Sequence, residues 1–208
     1  LEKGLKILQP EKLRDPVFLE ELKNLQADLQ VVIAFRMLPV AVWNMPRLGT
    51  INLHASLLPH YRGAAPINWA IINGETVSGV STFFLKHEID TGDILMKEEV
   101  PVSENTTAGE LHDTLMQVGA RVIVASLKLI EAGKTQGIPQ GENSHKTAPK
   151  IFKEHCQITW TKPATEVYNL IRGLSPYPAA HTHWQGKVLK VYKAHKEPAE
   201  TLPTAGTW

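Results

Sequence analysis

Val31-Val32-Ile33-Ala34-Phe35 and Thr50-Ile51-Asn52-Leu53-His54 flank a short helical stretch, Val40–Met45, and a turn at Pro46–Gly49. The first run is apolar and rich in β-branched residues, the pattern of a strand buried on both faces. Strand, helix and strand in that order predict an α/β fold, Rossmann-like, with a mostly parallel sheet and flanking helices. In such sheets ligands gather outside the carboxyl ends of the strands, where Asn52 and His54 fall.

The same pattern extends in both directions. Asp15-Pro16 is a helix start, with Asp as N-cap and Pro at the first helical position, and Phe18, Leu19, Leu22, Leu25 and Leu29 follow at helical spacing. Downstream, Pro66 opens a helix to about Ile72 that Gly74 ends. Gly79–Leu85 and Asp93–Val100 read as strands separated by the polar loop Lys86–Gly92. Thr107-Ala108-Gly109-Glu110 is a capping box, and the helix behind it carries Leu111, Leu115, Val118, Val122 and Leu129 before Gly133. Lys134–Lys150 has no periodicity and reads as an irregular connection. Thr165–Arg172 is a further helix, and Ala180–Trp184 and Lys187–Ala194 are strands around a Gln185-Gly186 turn. Glu197–Trp208 resembles a linker.

Composition narrows the class. With 208 residues, 43% hydrophobic and 21% charged, the chain can bury one full core and begin a second unit. The 22 Lys and Arg against 21 Asp and Glu neither favour nor exclude a nucleic-acid partner. The one cysteine, Cys156, excludes an internal disulfide and reads as an inert thiol in a reducing, cytoplasmic setting. No run approaches the roughly 20 apolar residues of a membrane helix. His60, His87, His112, His145 and His155 lack metal-ligand spacing, so no metal is expected. Trp43, Trp69 and Trp160 are assigned to packing. A first residue that is not Met reads as a fragment or a trimmed chain.

Asn52 and His54 share one face of their strand, because side chains alternate with a period of two, and Leu53 points away. A carboxamide beside an imidazole suits acyl transfer: the amide can donate to a developing oxyanion while the imidazole handles the proton of the nucleophile. Two hydrogen-bonded residues at a strand end would show the same spacing. The turn-rich segment that follows, Ala55 to Pro66, adds many free backbone donors beside the pair.

Asn52-Leu53-His54-Ala55-Ser56-Leu57-Leu58-Pro59, then Tyr61-Arg62-Gly63-Ala64-Ala65-Pro66, then Ile89-Asp90-Thr91-Gly92-Asp93-Ile94-Leu95 resembles the signature of the formyltransferases that use 10-formyltetrahydrofolate. Arg62–Ile67 and the Asp-Thr-Gly-Asp run are closer to the members that formylate methionyl-tRNA than to those that formylate glycinamide ribonucleotide. The resemblance spans about Leu8 to Ala194. It implies a catalytic trio of Asn52, His54 and Asp90, with Asn52 as oxyanion donor, His54 as proton-transfer group and Asp90 as the carboxylate that orients it. Asp93 competes for that last role.

The same resemblance implies that Ser56, Leu57, Leu58 and Pro59 contact the folate. It places the pterin in a slot between Arg36-Met37-Leu38-Pro39 and the loop that carries Ile89. Arg36-Met37 departs from the Gly-containing tract of many methionyl-tRNA enzymes. Core packing is an equally simple role for Met37 and Leu38, and Arg62 is assigned either to a ligand or to a structural ion pair.

The implied acceptor is the amino group of methionyl-initiator tRNA, with folate and tRNA as partners and no stable protein partner or membrane. A sugar-nucleotide amine, glycinamide ribonucleotide, water as acceptor, or a non-catalytic folate-binding module are the alternatives. Residues 1–155 are assigned to the catalytic domain, without its N-terminal part. Residues 156–208 are assigned to a linker helix and the beginning of a small C-terminal β-barrel, on the likeness of Trp160, Pro176-Tyr177-Pro178 and Gly186–Tyr192 to that join.

Overall fold

The computed structural model describes residues 3–33, 37–88, 90–141 and 146–197. Arg36 and Ile89, both assigned to folate, lie outside the described residues, as do Ala34, Phe35, His145 and the last part of the expected linker.

Helix α1 (Pro16–Lys23) starts where the Asp-Pro pair predicts: Asp15 accepts from the backbone N–H of Val17 at 2.8 Å and of Phe18 at 3.2 Å. It stops at Lys23, before Leu25 and Leu29, and buries none of its residues fully. Strand β1 (Gln30–Ile33), helix α2 (Val40–Trp43) and strand β2 (Thr50–His54) then reproduce the deciding order. β1 and β2 pair in parallel, with Val32 opposite Asn52.

The rest of the central sheet runs the other way. β4 (Val77–Phe84) is antiparallel to β2, and β5 (Ile94–Pro101) is antiparallel to β4, giving the order β1-β2-β4-β5. The α/β class holds, and parallel pairing is confined to the β1–β2 edge. The connection between β4 and β5, Leu85–Asp93, contains no helix among its described residues, and a parallel pair needs a crossover long enough to hold one. β1 also differs from the two-sided burial that its composition predicts: Val31 and Ile33 are exposed and their neighbours half-buried. Its β-branched run reflects strand preference at a sheet edge.

Helix α3 (Pro66–Ile72) and the long helix α4 (Ala108–Glu131) cover one face of the sheet. The capping box at Thr107 is formed in full: its side chain accepts from the Glu110 N–H, and Glu110 accepts from the Thr107 N–H at 2.8 Å. Leu111, Leu115, Val118 and Val122 face inward with Ile71, Val80 and Val100, as their spacing predicts. At the last turn Ile130 is buried and Leu129 only partly so, which keeps the 3.6-residue period through the buried Ser126. Ser126 shares a hydrogen bond of 2.7 Å with Thr82 of β4.

One pairing arises inside a stretch without periodicity. β3 (Arg62–Gly63) pairs in parallel with β6 (Thr147–Ala148), so the irregular connection returns to the loop after β2. Helix α5 (Ala164–Gly173) packs on α3 and is followed by the hairpin of β7 (Ala180–Trp184) and β8 (Lys187–Val191). That hairpin is the part of the expected barrel seen among the described residues, and no closed barrel forms from them.

Arg172 joins α5 to the sheet-covering layer. Its buried guanidinium donates to the Asn169 side chain at 2.9 Å, to the carbonyl of Thr106 at 3.0 Å and to that of Ser103 at 3.4 Å. Tyr168 adds a hydrogen bond to Asn105 at 2.7 Å. Arg172→Met keeps the apolar stem but leaves these acceptors without donors. Urea unfolding is expected to show a loss of about 2–3 kcal/mol; a loss below about 0.5 kcal/mol, the scale of ordinary surface changes, would remove Arg172 from this role.

Candidate active site

The site forms where β2 ends. Asn52 is 3% exposed and His54 7% exposed, and Leu53 between them turns to the opposite face, against α4. The loop after β2 comes back over this end, and Tyr61 in that loop takes a positive φ of 58°. That turn aims its carbonyl at His54, whose Nε2 donates to it at 2.8 Å. A carbonyl only accepts, so the bonded nitrogen carries the proton and Nδ1 is left facing the site.

Asp90 meets that nitrogen. Its Oδ2 lies 3.8 Å from His54 Nδ1, both side chains being nearly buried, and accepts from the Gly63 N–H at 3.1 Å. The separation exceeds a hydrogen bond, as in many unliganded acid–base pairs whose contacts close only around substrate. Asp93 is elsewhere: it accepts from Lys86 at 2.9 Å near the surface, so the competing assignment falls away.

Asn52 completes the cluster by sequence position and face. Its Oδ1 is the one buried side-chain nitrogen or oxygen without a hydrogen-bond partner among the described residues. A buried amide oxygen without a donor costs about 1–3 kcal/mol, so its retention fits a ligand that brings an N–H or O–H. An unpaired acceptor thus lies on the same strand face as an imidazole nitrogen that meets a carboxylate, which is the inventory for moving an acyl group onto an amine.

Two glycines make the approach of the loops possible. A Cβ on Gly92 would lie 1.5 Å from the Phe84 carbonyl oxygen, and one on Gly63 would lie 2.5 Å from that of Ala148. Any side chain at either position would push the Asp90 loop or β3 out of place.

The residues assigned to folate divide into different roles. Leu58 is fully buried with Phe83 and Ile94; its N–H donates to Ser81 at 3.0 Å and its carbonyl accepts from Lys97. Ser56 is also buried, donating to the His60 carbonyl at 2.6 Å while its own carbonyl accepts from Ser81 at 2.7 Å. These two shape the loop. Leu57 packs against Gly79, and Pro59 borders a cavity of about 360 Å³ with Ile94, Met96, Lys97, Ile138 and Gln140. Met37 is 78% exposed, so core packing does not account for it; Leu38 is half-buried. The edge of Trp43 meets His87 at 5.4 Å between ring centroids, which ties the segment after β1 to the loop before Asp90. Among the described residues Arg62 forms no ion pair; its guanidinium donates two hydrogen bonds, at 3.0 and 2.6 Å, to the Gln140 side chain.

Sequence spacing gives no sign of the brace behind His54. The Tyr61 hydroxyl donates to Glu75 at 2.6 Å and accepts from Asn73 at 3.1 Å, and Lys146 donates to Glu75 at 2.6 Å. Burial and the Glu75 carboxylate push the Tyr61 phenol well above its ordinary range. Burial opposes the charge of Glu75, but hydrogen bonds from Lys146 and Tyr61 outweigh it and hold the carboxyl below its ordinary 4.5. Elsewhere, burial, with Glu154 adding to it, pushes the Cys156 thiol up, away from the reactive thiolate. Among the described residues no group of three or more His, Cys, Asp or Glu side chains converges as a metal site would require, and no helix is long and apolar enough to cross a membrane.

This arrangement defines an α/β protein with a buried Asn-His-Asp site suited to acyl-group chemistry. The chain belongs to the formyl transferase family: residues 2–127 match the family itself and residues 150–208 match the formyl transferase C-terminal domain.

Among its relatives are proteins named methionyl-tRNA formyltransferase from Parabacteroides distasonis, 56% identical over 207 residues, and from Flavobacterium johnsoniae, 54% identical over 199. The alignments cover 95% and 93% of this chain, which spans 64% and 63% of the length of those relatives. A sugar N-formyltransferase from a Shewanella species shares the fold, with a TM-score of 0.74 at 21% identity, over 91% of this chain and 77% of that one. HypX from Aquifex aeolicus, solved with tetrahydrofolic acid, shares it with the same TM-score at 22% identity, over 92% of this chain and 34% of that one.

Glu75 has a depressed folded pKa, so its contribution to stability is present above about pH 4.5 and is lost as the pH falls through the folded value. Glu75→Gln is therefore expected to flatten the fall in unfolding free energy between about pH 5 and pH 3. An unchanged slope in chemical denaturation across that range would contradict the brace.

Proposed function

We propose that this chain carries the catalytic centre of an enzyme that transfers a formyl group from 10-formyltetrahydrofolate to the α-amino group of methionyl-initiator tRNA, in the cytoplasm. The observation that carries the chemistry is an unpaired Asn52 carboxamide oxygen on the strand face that also presents the His54–Asp90 pair. Identities of 48–56% to relatives that bear the methionyl-tRNA formyltransferase name support the acceptor. Residues 1–155 serve as the catalytic domain, and residues 156–208 begin the C-terminal unit.

In this reading the neutral amine attacks the formyl carbon, a C–N bond forms and the carbonyl oxygen becomes an oxyanion. The Asn52 carboxamide presents its oxygen to an N–H of the amine and its NH₂ to the oxyanion. His54 Nδ1 accepts the proton the amine loses, and Asp90 stabilises the resulting imidazolium. Collapse breaks the bond between the formyl carbon and N10 of the folate, which leaves with that proton. Every group acts from a preorganised position, with no covalent enzyme intermediate. In this reading Met37 and Leu38 contribute to the pterin slot together with Leu57 and Pro59, and Arg36 and Ile89 are assigned to it by resemblance alone. Ser56 and Leu58 support the loop after β2.

The test is formyl transfer by the intact protein from 10-formyltetrahydrofolate, comparing methionyl-initiator tRNA with amino-sugar nucleotides and glycinamide ribonucleotide. Transfer to the tRNA alone is expected, and transfer only to a sugar amine would reassign the acceptor. Asn52→Ala is expected to lower kcat about 100-fold to 1,000-fold, as loss of an oxyanion donor does. Single replacement of His54 or Asp90 by Ala should also lower kcat, and near-normal turnover of any one of the three would remove that residue from the mechanism.

A further inference from the structure

Asp90 sits in a conformation it does not prefer, with φ at 55° in the left-handed region, at the tip of a loop between two strands. Gln140, fifty residues further on, grips it from outside the loop. The Gln140 amide nitrogen donates to the Asp90 carbonyl at 2.8 Å and to the Gly92 carbonyl at 2.7 Å. Its oxygen accepts both bonds of the Arg62 guanidinium. All four hydrogen-bonding positions of one carboxamide are occupied, which no shorter or apolar side chain can reproduce.

These bonds close a ring. Arg62 grips Gln140, Gln140 grips the backbone of Asp90, and the Asp90 carboxylate accepts from the N–H of Gly63, the residue next to Arg62. The Asp90 carbonyl and carboxylate are thus held by separate partners, which sets both the turn and the direction of the side chain toward His54. The Arg62–Gly63 strand is itself anchored to Thr147–Ala148, so the ring rests on paired backbone.

We propose that Gln140 is a positioning residue for this site, bridging Arg62 to the Asp90 loop and holding the carboxylate beside His54. The proposal deepens the functional reading above and relies on it for its kinetic consequence alone. Arg62 then acts through Gln140, with no direct contact to a substrate needed.

The test pairs kinetics with an amide signal that reads Asp90 directly. Gln140→Leu removes all four bonds. Gln140→Glu keeps the grip of Arg62 but sets a carboxylate against two carbonyls. Arg62→Met leaves the amide but frees its far end. In the intact protein both Gln140 variants are expected to lower kcat about 10-fold to 100-fold, the scale of small misplacements at a reacting centre, with KM for the formyl donor changed little. Arg62→Met should move the same way by less.

By NMR, the Gly63 amide of either Gln140 variant should lose its exchange protection and shift toward the position it takes in Asp90→Ala, while thermal midpoints remain within a few degrees. A Gly63 amide that keeps its wild-type shift and protection in either folded Gln140 variant overturns the proposal, whatever the rates do. If that amide responds as expected while the wild-type protein transfers no formyl group, the positioning stands and the assigned reaction fails.

Discussion

The hydrogen bond from His54 Nε2 to the Tyr61 carbonyl is the interaction on which the site depends. It commits one imidazole nitrogen to the protein and leaves the other to chemistry. Without it the ring could present either nitrogen, or none, to Asp90. That carbonyl is aimed by a residue with positive φ, and the residue is held in place by its own phenol on Glu75. A tautomer at the centre of the molecule therefore traces back to a carboxylate at the end of α3 and to Lys146, far along the chain. Energy stored in a disfavoured backbone turn persists only where several partners agree on it, and here Glu75, Asn73 and the Lys146 carbonyl all hold Tyr61.

The same logic is repeated on the Asp90 side, where the loop is gripped by groups from outside it. Two disfavoured turns, at Tyr61 and Asp90, point their polar atoms at one imidazole from opposite directions. Both are served by the small β3–β6 pairing, whose members are the neighbours of Tyr61 and of Lys146. The central sheet supplies a rigid platform through β2, and the loops supply the geometry. That division is common where catalytic groups sit on loops over a packed scaffold.

Much of this was legible in residue order, and the remainder for identifiable reasons was not. The Thr50–His54 strand, the capping box at Thr107 and the helices after Pro66 and near Thr165 follow from local rules, because caps, periodicity and turn formers act within a few residues. The Asn52–His54 face follows from strand alternation alone. The direction of β4 and β5 does not, since an apolar run reads the same in a parallel or an antiparallel partner, and only the helix-free connector between them carries that information. Lys134–Lys150 reads as irregular because it lacks periodicity, yet it contributes Gln140 and the β6 pair; those are held by partners distant in sequence, such as Arg62 and Asp90. Arg62 itself is conspicuous in sequence but its role depends on that distant amide. Leu58 and Ser56 belong to a recognisable run, yet burial, which sequence does not display, makes them supports for the loop.

The buried Arg172 has a mechanical consequence. By bonding α5 to the segment before α4, it ties the helix that precedes the β7–β8 hairpin to the layer that covers the sheet. That helix is thereby held by carbonyls 66 and 69 positions earlier in the chain as well as by its own connecting segment.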